Sequence, residues 1–128
     1  MKIYESAENY LETILILRQR RRDVRSIDIA AELDFTKPSV SVAMKKLRES
    51  GLILMDESGY ITLTPDGQEI AERVYERHQF MANFLTQIGV PQQIAIEDAC
   101  KIEHVISADS FAKLKAFAKQ LSRDEPAH

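Results

Sequence analysis

The chain has 128 residues, of which 45% are hydrophobic and 29% charged, and it holds one cysteine, which excludes an internal disulfide framework. No run approaches the roughly 20 apolar residues of a membrane-spanning helix. The net charge of −3 argues against a uniformly basic nucleic-acid binder, yet it is unevenly spread: residues 1–50 carry ten Lys/Arg against eight Asp/Glu, residues 51–128 seven against twelve.

Residues 1–5, Met-Lys-Ile-Tyr-Glu, lead into polar positions, so no secretory signal is expected and a reducing, cytoplasmic setting is implied for Cys100. The first helix is predicted over residues 6–20, with Ser6 as its cap and Tyr10, Leu11, Ile14, Leu15 and Leu17 as its apolar stripe. Asn9 and Glu12 share one side of it; such residues are ordinarily solvated. Arg18, Arg20, Arg21, Arg22 and Arg25 then crowd the helix end, where the dipole favours cations. Five exceed that need, and the surplus reads as phosphate anchors or as a solvated basic face.

Residues 26–64 have the pattern of a winged helix-turn-helix: a short helix over Ile27–Leu33, a tight turn, a second helix over Lys37–Ser50, a break at Gly51 and a hairpin. Thr36 caps the second helix and Pro38 occupies its first turn. Val40, Met44 and Leu47 make its inner face. Ser39, Ser41, Val42, Lys45 and Lys46 make the outer one, which together with Lys37, Pro38 and Arg25 forms the candidate DNA surface. The wing strands Leu52–Met55 and Tyr60–Leu63 flank an acidic turn, Asp56-Glu57-Ser58-Gly59, that repels phosphate. A helix-turn-helix used only for packing is the bland alternative.

Thr64-Pro65-Asp66-Gly67 opens a long helix to about Ile88, in which Ala71, Val74, His78, Met81, Leu85 and Ile88 form a heptad-like seam. A lone seam histidine is more often a hydrogen-bonded core residue than a ligand. After Gly89-Val90-Pro91, a helix over 92–106 carries an apolar stripe of Ala99, Ile102, Val105 and Ile106, with Cys100, Glu103 and His104 on a different side. Thiolate, carboxylate and imidazole on neighbouring turns can converge on one cation. An inert thiol and a Cys-His-Glu nucleophile stay open beside that reading, although no oxyanion loop accompanies the latter. Ser107 caps a last helix whose face is Phe111, Leu114, Phe117, Ala118 and Leu121, a dimer interface or a core cover. A frayed tail is expected from Ser122 to His128.

Glu8 to Ile14, Asp28-Ile29-Ala30, Lys37 to Ser41, Leu63 to Gly67, Arg77-His78 with Phe84-Leu85, and Ala99 to Val105, in this order and spacing, resemble the diphtheria toxin repressor family of metal-dependent transcriptional repressors, in particular its short manganese-responsive members. The resemblance runs from about Ser6 to Phe117. It implies a mainly α architecture: a winged helix-turn-helix DNA-binding domain (1–64), a helical metal-binding and dimerisation domain (65–122) and a flexible tail (123–128), without the SH3-like domain of larger members. It also implies six metal ligands: Asn9, Glu12, His78, Cys100, Glu103 and His104.

Four of these keep a usual ligand type. Asn9 stands where manganese members have aspartate and iron members methionine, and Cys100 where they have glutamate and cysteine respectively. Ala82 and Ile96 replace a carboxylate and a histidine of a second, ancillary site, which is therefore expected to be absent. The thiolate is a softer ligand that favours Fe²⁺, Co²⁺ or Zn²⁺ over Mn²⁺. The resemblance implies a homodimer, not an enzyme, that binds operator DNA when loaded with Fe²⁺ or Mn²⁺ and controls metal-homeostasis genes, with neither a membrane nor a small organic substrate as partner. A metal-independent winged-helix regulator and a redox protein using Cys100 are the alternatives.

Overall fold

The computed structural model describes residues 5–21 and 23–124, without the side chains of residue 5 and residues 122–124; Arg22 of the arginine cluster and residues 125–128 of the expected tail lie outside the described residues. The chain forms two compact units, residues 1–74 and residues 75–128. Its elements are α1 (Glu5–Arg21), α2 (Ser26–Leu33), α3 (Lys37–Glu49), β1 (Ile53–Met55), β2 (Ile61–Leu63), α4 (Pro65–Gln87), α5 (Gln92–Val105) and α6 (Ala108–Asp124). Among the described residues, no helix is long and apolar enough to cross a membrane.

In the first unit, α1 packs on α2 and β2, α2 on α3, and α3 on β1. Leu11, Ile14, Leu17, Val24, Ile29, Val40, Met44, Leu47, Ile53 and Ile61 form the core. The turn between α2 and α3 closes at Asp34, which adopts the left-handed conformation (φ 57°) and donates its N–H to the Ala30 carbonyl; Asp tolerates this region better than most side chains. At the start of α3, Thr36 Oγ1 accepts the Ser39 amide at 3.3 Å, as its capping role predicts.

The wing pairs Ile53 with Leu63, Leu54 with Thr62 and Met55 with Ile61, antiparallel. Its acidic turn uses part of its own charge: Asp56 Oδ1 accepts the amides of Ser58 and Tyr60, each at 2.9 Å. Thr64 then links hairpin to helix, donating to the Gly51 carbonyl at 2.8 Å and accepting the Gly67 amide at 3.1 Å. Gly67 is required here, because a Cβ at this position would lie 2.0 Å from the Leu52 carbonyl oxygen.

In the second unit, Met81, Ala95, Ala99 and Phe111 are the buried apolar residues among those described. Phe80 stacks on Phe84 (centroids 5.8 Å apart) and meets Phe111 edge to face at 5.4 Å. Ser107 accepts the Ser110 amide at 3.1 Å and so caps α6 as expected.

Ser6 lies inside α1, which already includes Glu5, and is not its cap, and four details of α4 to α6 also depart from the sequence reading. The seam of α4 stops before Ile88, which is 61% exposed, because the chain turns out of the helix toward Gly89 (φ 107°). On α5 the buried line is Ala95, Ala99 and Glu103, at steps of four, so Glu103 takes the inward position and Val105 faces solvent. On α6, Phe111 is buried and Leu114 and Ala118 half-buried, while Phe117 and Leu121 point outward. The same helix continues to Asp124, past the expected start of the tail at Ser122.

Candidate metal centre and DNA-reading face

Within the second unit, His78 of α4 meets two side chains of α5, Cys100 and Glu103, and the second of these reaches His104. His78 Nδ1 lies 3.6 Å from Cys100 Sγ and 3.1 Å from Glu103 Oε2. Glu103 Oε1 in turn lies 3.2 Å from His104 Nε2, so the carboxylate is bracketed by two imidazoles. Burial is graded across the group: Glu103 is 1% exposed, His104 and His78 have side chains 4% and 21% exposed, and Cys100 is open to solvent.

The donor set fits a transition metal. Two atoms bound to one ion at about 2.0–2.3 Å, with angles between about 90° and 109°, lie about 2.9–3.6 Å apart. The Sγ–Nδ1 and Nδ1–Oε2 separations fall in that window. Glu103 Oε2 is also buried and makes no aligned hydrogen bond, although a ring nitrogen stands within reach. A buried carboxylate oxygen in that condition is costly unless a cation neutralises it. Imidazole, thiolate and carboxylate together suit divalent iron, cobalt, zinc or manganese, with sulfur weighting the set toward the softer ions.

Asn9 and Glu12 belong to α1 of the first unit. Glu12 is 6% exposed, in a row of buried residues from Leu11 to Leu15, so the solvated reading fails for it. Asn9 is half-buried and its carbonyl accepts the Thr13 hydroxyl at 2.8 Å.

Arg77 is a residue whose role the sequence did not disclose. Its Nη1 donates to the carbonyls of Ile106 (2.9 Å) and Glu103 (3.4 Å), and its guanidinium lies 5.5 Å from the Phe111 ring centroid. It therefore closes the C-terminal end of α5, beside Glu103 and His104, from the position next to His78. The partners are 26 and 29 residues away, so local spacing carries no signal for them.

On the first unit, Val40, Met44 and Leu47 of α3 are buried, and Lys37, Pro38, Ser39, Ser41, Val42, Lys45 and Lys46 are exposed. Lys37, Lys45 and Lys46 make no ion pair among the described residues and are available to phosphate. The arginines are mostly engaged elsewhere. Arg18 donates to the Ile61 carbonyl, and Arg20 and Arg21 pair with Glu32 and Asp28. Arg25 donates to the Ser58 carbonyl at 2.6 Å and lies 5.3 Å from the Tyr60 ring centroid, which ties it to the wing turn.

Residues 2–59 match the family profile described as "Iron dependent repressor, N-terminal DNA binding domain", and residues 64–128 that described as "Iron dependent repressor, metal binding and dimerisation domain". The transcriptional regulator MntR of Salmonella typhimurium is 35% identical over 116 residues, covering 91% of this chain and 74% of that protein. The solved structure of the manganese regulator SloR superposes with a TM-score of 0.79 at 28% identity, over 93% of this chain and 55% of that one. A manganese-dependent transcriptional repressor solved in complex with manganese gives 0.78 at 26% identity, over 86% of this chain and 51% of that one. The chain thus spans about half the length of these two solved relatives.

Proposed function

The chain belongs to the iron-dependent repressor family, and from that premise we propose that it is a transcriptional repressor, not an enzyme, that binds operator DNA as a homodimer when a divalent transition metal is bound. The observation that carries this reading is the meeting of His78, Cys100, Glu103 and His104, with a buried carboxylate oxygen turned toward a ring nitrogen it does not hydrogen-bond. In this proposal those four side chains, with Asn9 and Glu12 of α1, hold the ion. Fe²⁺ or Mn²⁺ is the natural occupant, Co²⁺ and Zn²⁺ fit the same donors, and the regulated genes serve metal homeostasis in the cytoplasm.

Two further features support the proposal. The exposed α3 face, with small hydroxyls in its first turns and lysines further along, suits a major groove and its phosphates. Among the described residues, the second unit buries four apolar side chains while Ile88, Ile94, Ile96, Val105, Phe117 and Leu121 stand exposed, an excess that a second copy would cover. Ligands drawn from α1 as well as α4 and α5 would couple ion occupancy to the spacing of the two α3 helices in a dimer. By reciprocity, DNA then tightens metal binding as much as metal tightens DNA binding, ordinarily about 5–150-fold.

The test is to select duplexes from a random library with the full chain in Mn²⁺ and in Fe²⁺, then measure affinity for a selected duplex with each ion and with chelator. Affinity is expected to rise at least about tenfold with ion, and the response to vanish in Glu103→Gln. DNA binding indifferent to every ion would leave a metal-independent winged-helix regulator.

A further inference from the structure

We propose that Val42 is the side chain of α3 that discriminates between base pairs, and that it does so by packing on the 5-methyl group of a thymine. The inference rests on the reading that α3 enters a major groove. It starts from the bonds that the exposed face already makes. Ser39 is held in the helix cap, where its hydroxyl accepts from Thr36 Oγ1 at 2.8 Å. Arg25 is turned to the wing through Ser58 and Tyr60. Lys37, Lys45 and Lys46 are long point charges that suit phosphate better than a base edge. Besides Pro38 at the helix start, Ser41 and Val42 remain in the first two turns as short side chains free to meet a base.

Of these two, Val42 carries the sharper preference. It is 57% exposed, whereas Val40 and Met44 on the same helix are 0% and 1% exposed. Single exposed apolar residues are common on protein surfaces, but this one stands on a face whose other members are serines, lysines and a proline. A β-branched residue at a largely exposed helical position also gives up helix propensity for only partial packing in return. Valine has neither donor nor acceptor. Among the features that base pairs display in the major groove, the thymine methyl is the one it complements, while a donor or acceptor facing it would lose its water without replacement. Serine at position 41 accommodates either a donor or an acceptor and sets no such limit.

The experiment uses a duplex selected with the metal-loaded full chain and replaces its thymines one at a time by deoxyuridine, which removes only the methyl. At one thymine in each half-site, wild-type affinity is expected to fall about fourfold, the factor corresponding to loss of one buried methyl-sized group. Val42→Ala should bind the unmodified duplex more weakly, keep its metal response, and be insensitive to deoxyuridine at that position. Tolerance of deoxyuridine at every thymine by the wild type, or an equal loss in Val42→Ala, would overturn the proposal while leaving metal-dependent DNA binding in place. Failure to enrich any duplex would overturn the DNA-binding reading, and this proposal with it.

Discussion

Arg77 Nη1 lies 2.9 Å from the carbonyl oxygen of Ile106, so the neighbour of His78 on α4 closes the end of the helix that presents Glu103 and His104. Removing a charged donor from helix-terminal carbonyls costs about 1.5–3 kcal/mol. Arg77→Met is therefore expected to lower apo stability by about that much in urea unfolding, with Arg77→Lys recovering part of it. Calorimetric Mn²⁺ titration of Arg77→Met at a temperature where it stays folded should give weaker binding. Wild-type affinity there would mean the clamp has no share in placing the ligands.

Glu103→Gln keeps the shape of the buried side chain and removes its charge. The apo variant is expected to melt no lower than wild type, since an ionised carboxylate at 1% exposure is costly. The rise in melting temperature expected of wild type on metal addition should be absent in the variant. A preserved metal-induced rise would remove Glu103 from the ligand set.

In the proposed site Cys100 is the sulfur donor, so a Co²⁺-loaded wild-type protein is expected to show thiolate-to-metal charge-transfer absorption in the near ultraviolet that Cys100→Ala lacks. Cys100→Glu replaces a soft donor by a hard one and should shift competition between Co²⁺ and Mn²⁺ toward Mn²⁺. An unchanged Co²⁺ spectrum in Cys100→Ala would place the thiol outside the coordination sphere.

Arg25 and Lys45 are both exposed cations near α3, but they are expected to fail differently. Lys45→Ala should weaken binding to all duplexes alike and reduce the salt slope by about one. Arg25→Ala, which frees the Ser58 carbonyl, should speed amide exchange at Gly59 and Tyr60 while leaving the salt slope almost unchanged. A full unit of slope lost in Arg25→Ala would make it a phosphate contact after all.

Gly67→Ala introduces a Cβ 2.0 Å from the Leu52 carbonyl oxygen, which is backbone and cannot swing aside. A loss of about 2–4 kcal/mol in urea unfolding is expected, more than the helix propensity that alanine adds. A neutral or stabilised variant would mean that α4 can start further from the hairpin than it does here.

Local rules carried most of what was legible in the amino-acid order. The caps at Thr36, Thr64 and Ser107 depend on residues three positions apart, and each bond is made. The inner face of α3 follows from periodicity alone and is buried throughout. Periodicity misled where a polar residue took an inward place: Glu103 falls in line with Ala95 and Ala99, but hydrophobicity assigned the buried stripe to Val105 instead. The purposes of the arginines depended on distant carbonyls. Arg18 reaches Ile61 and Arg25 reaches Ser58, separations of 43 and 33 residues that no window along the chain spans.

The inward carboxylate of α5 has a consequence for the lifetime of the molecule in a cell. If a cation binds this carboxylate as proposed, the chain opens more readily while starved of that cation than while supplied with it, and proteases act on opened chains. Scarcity would then thin the pool of this protein as well as silence each copy, and replenishment would have to wait on new synthesis.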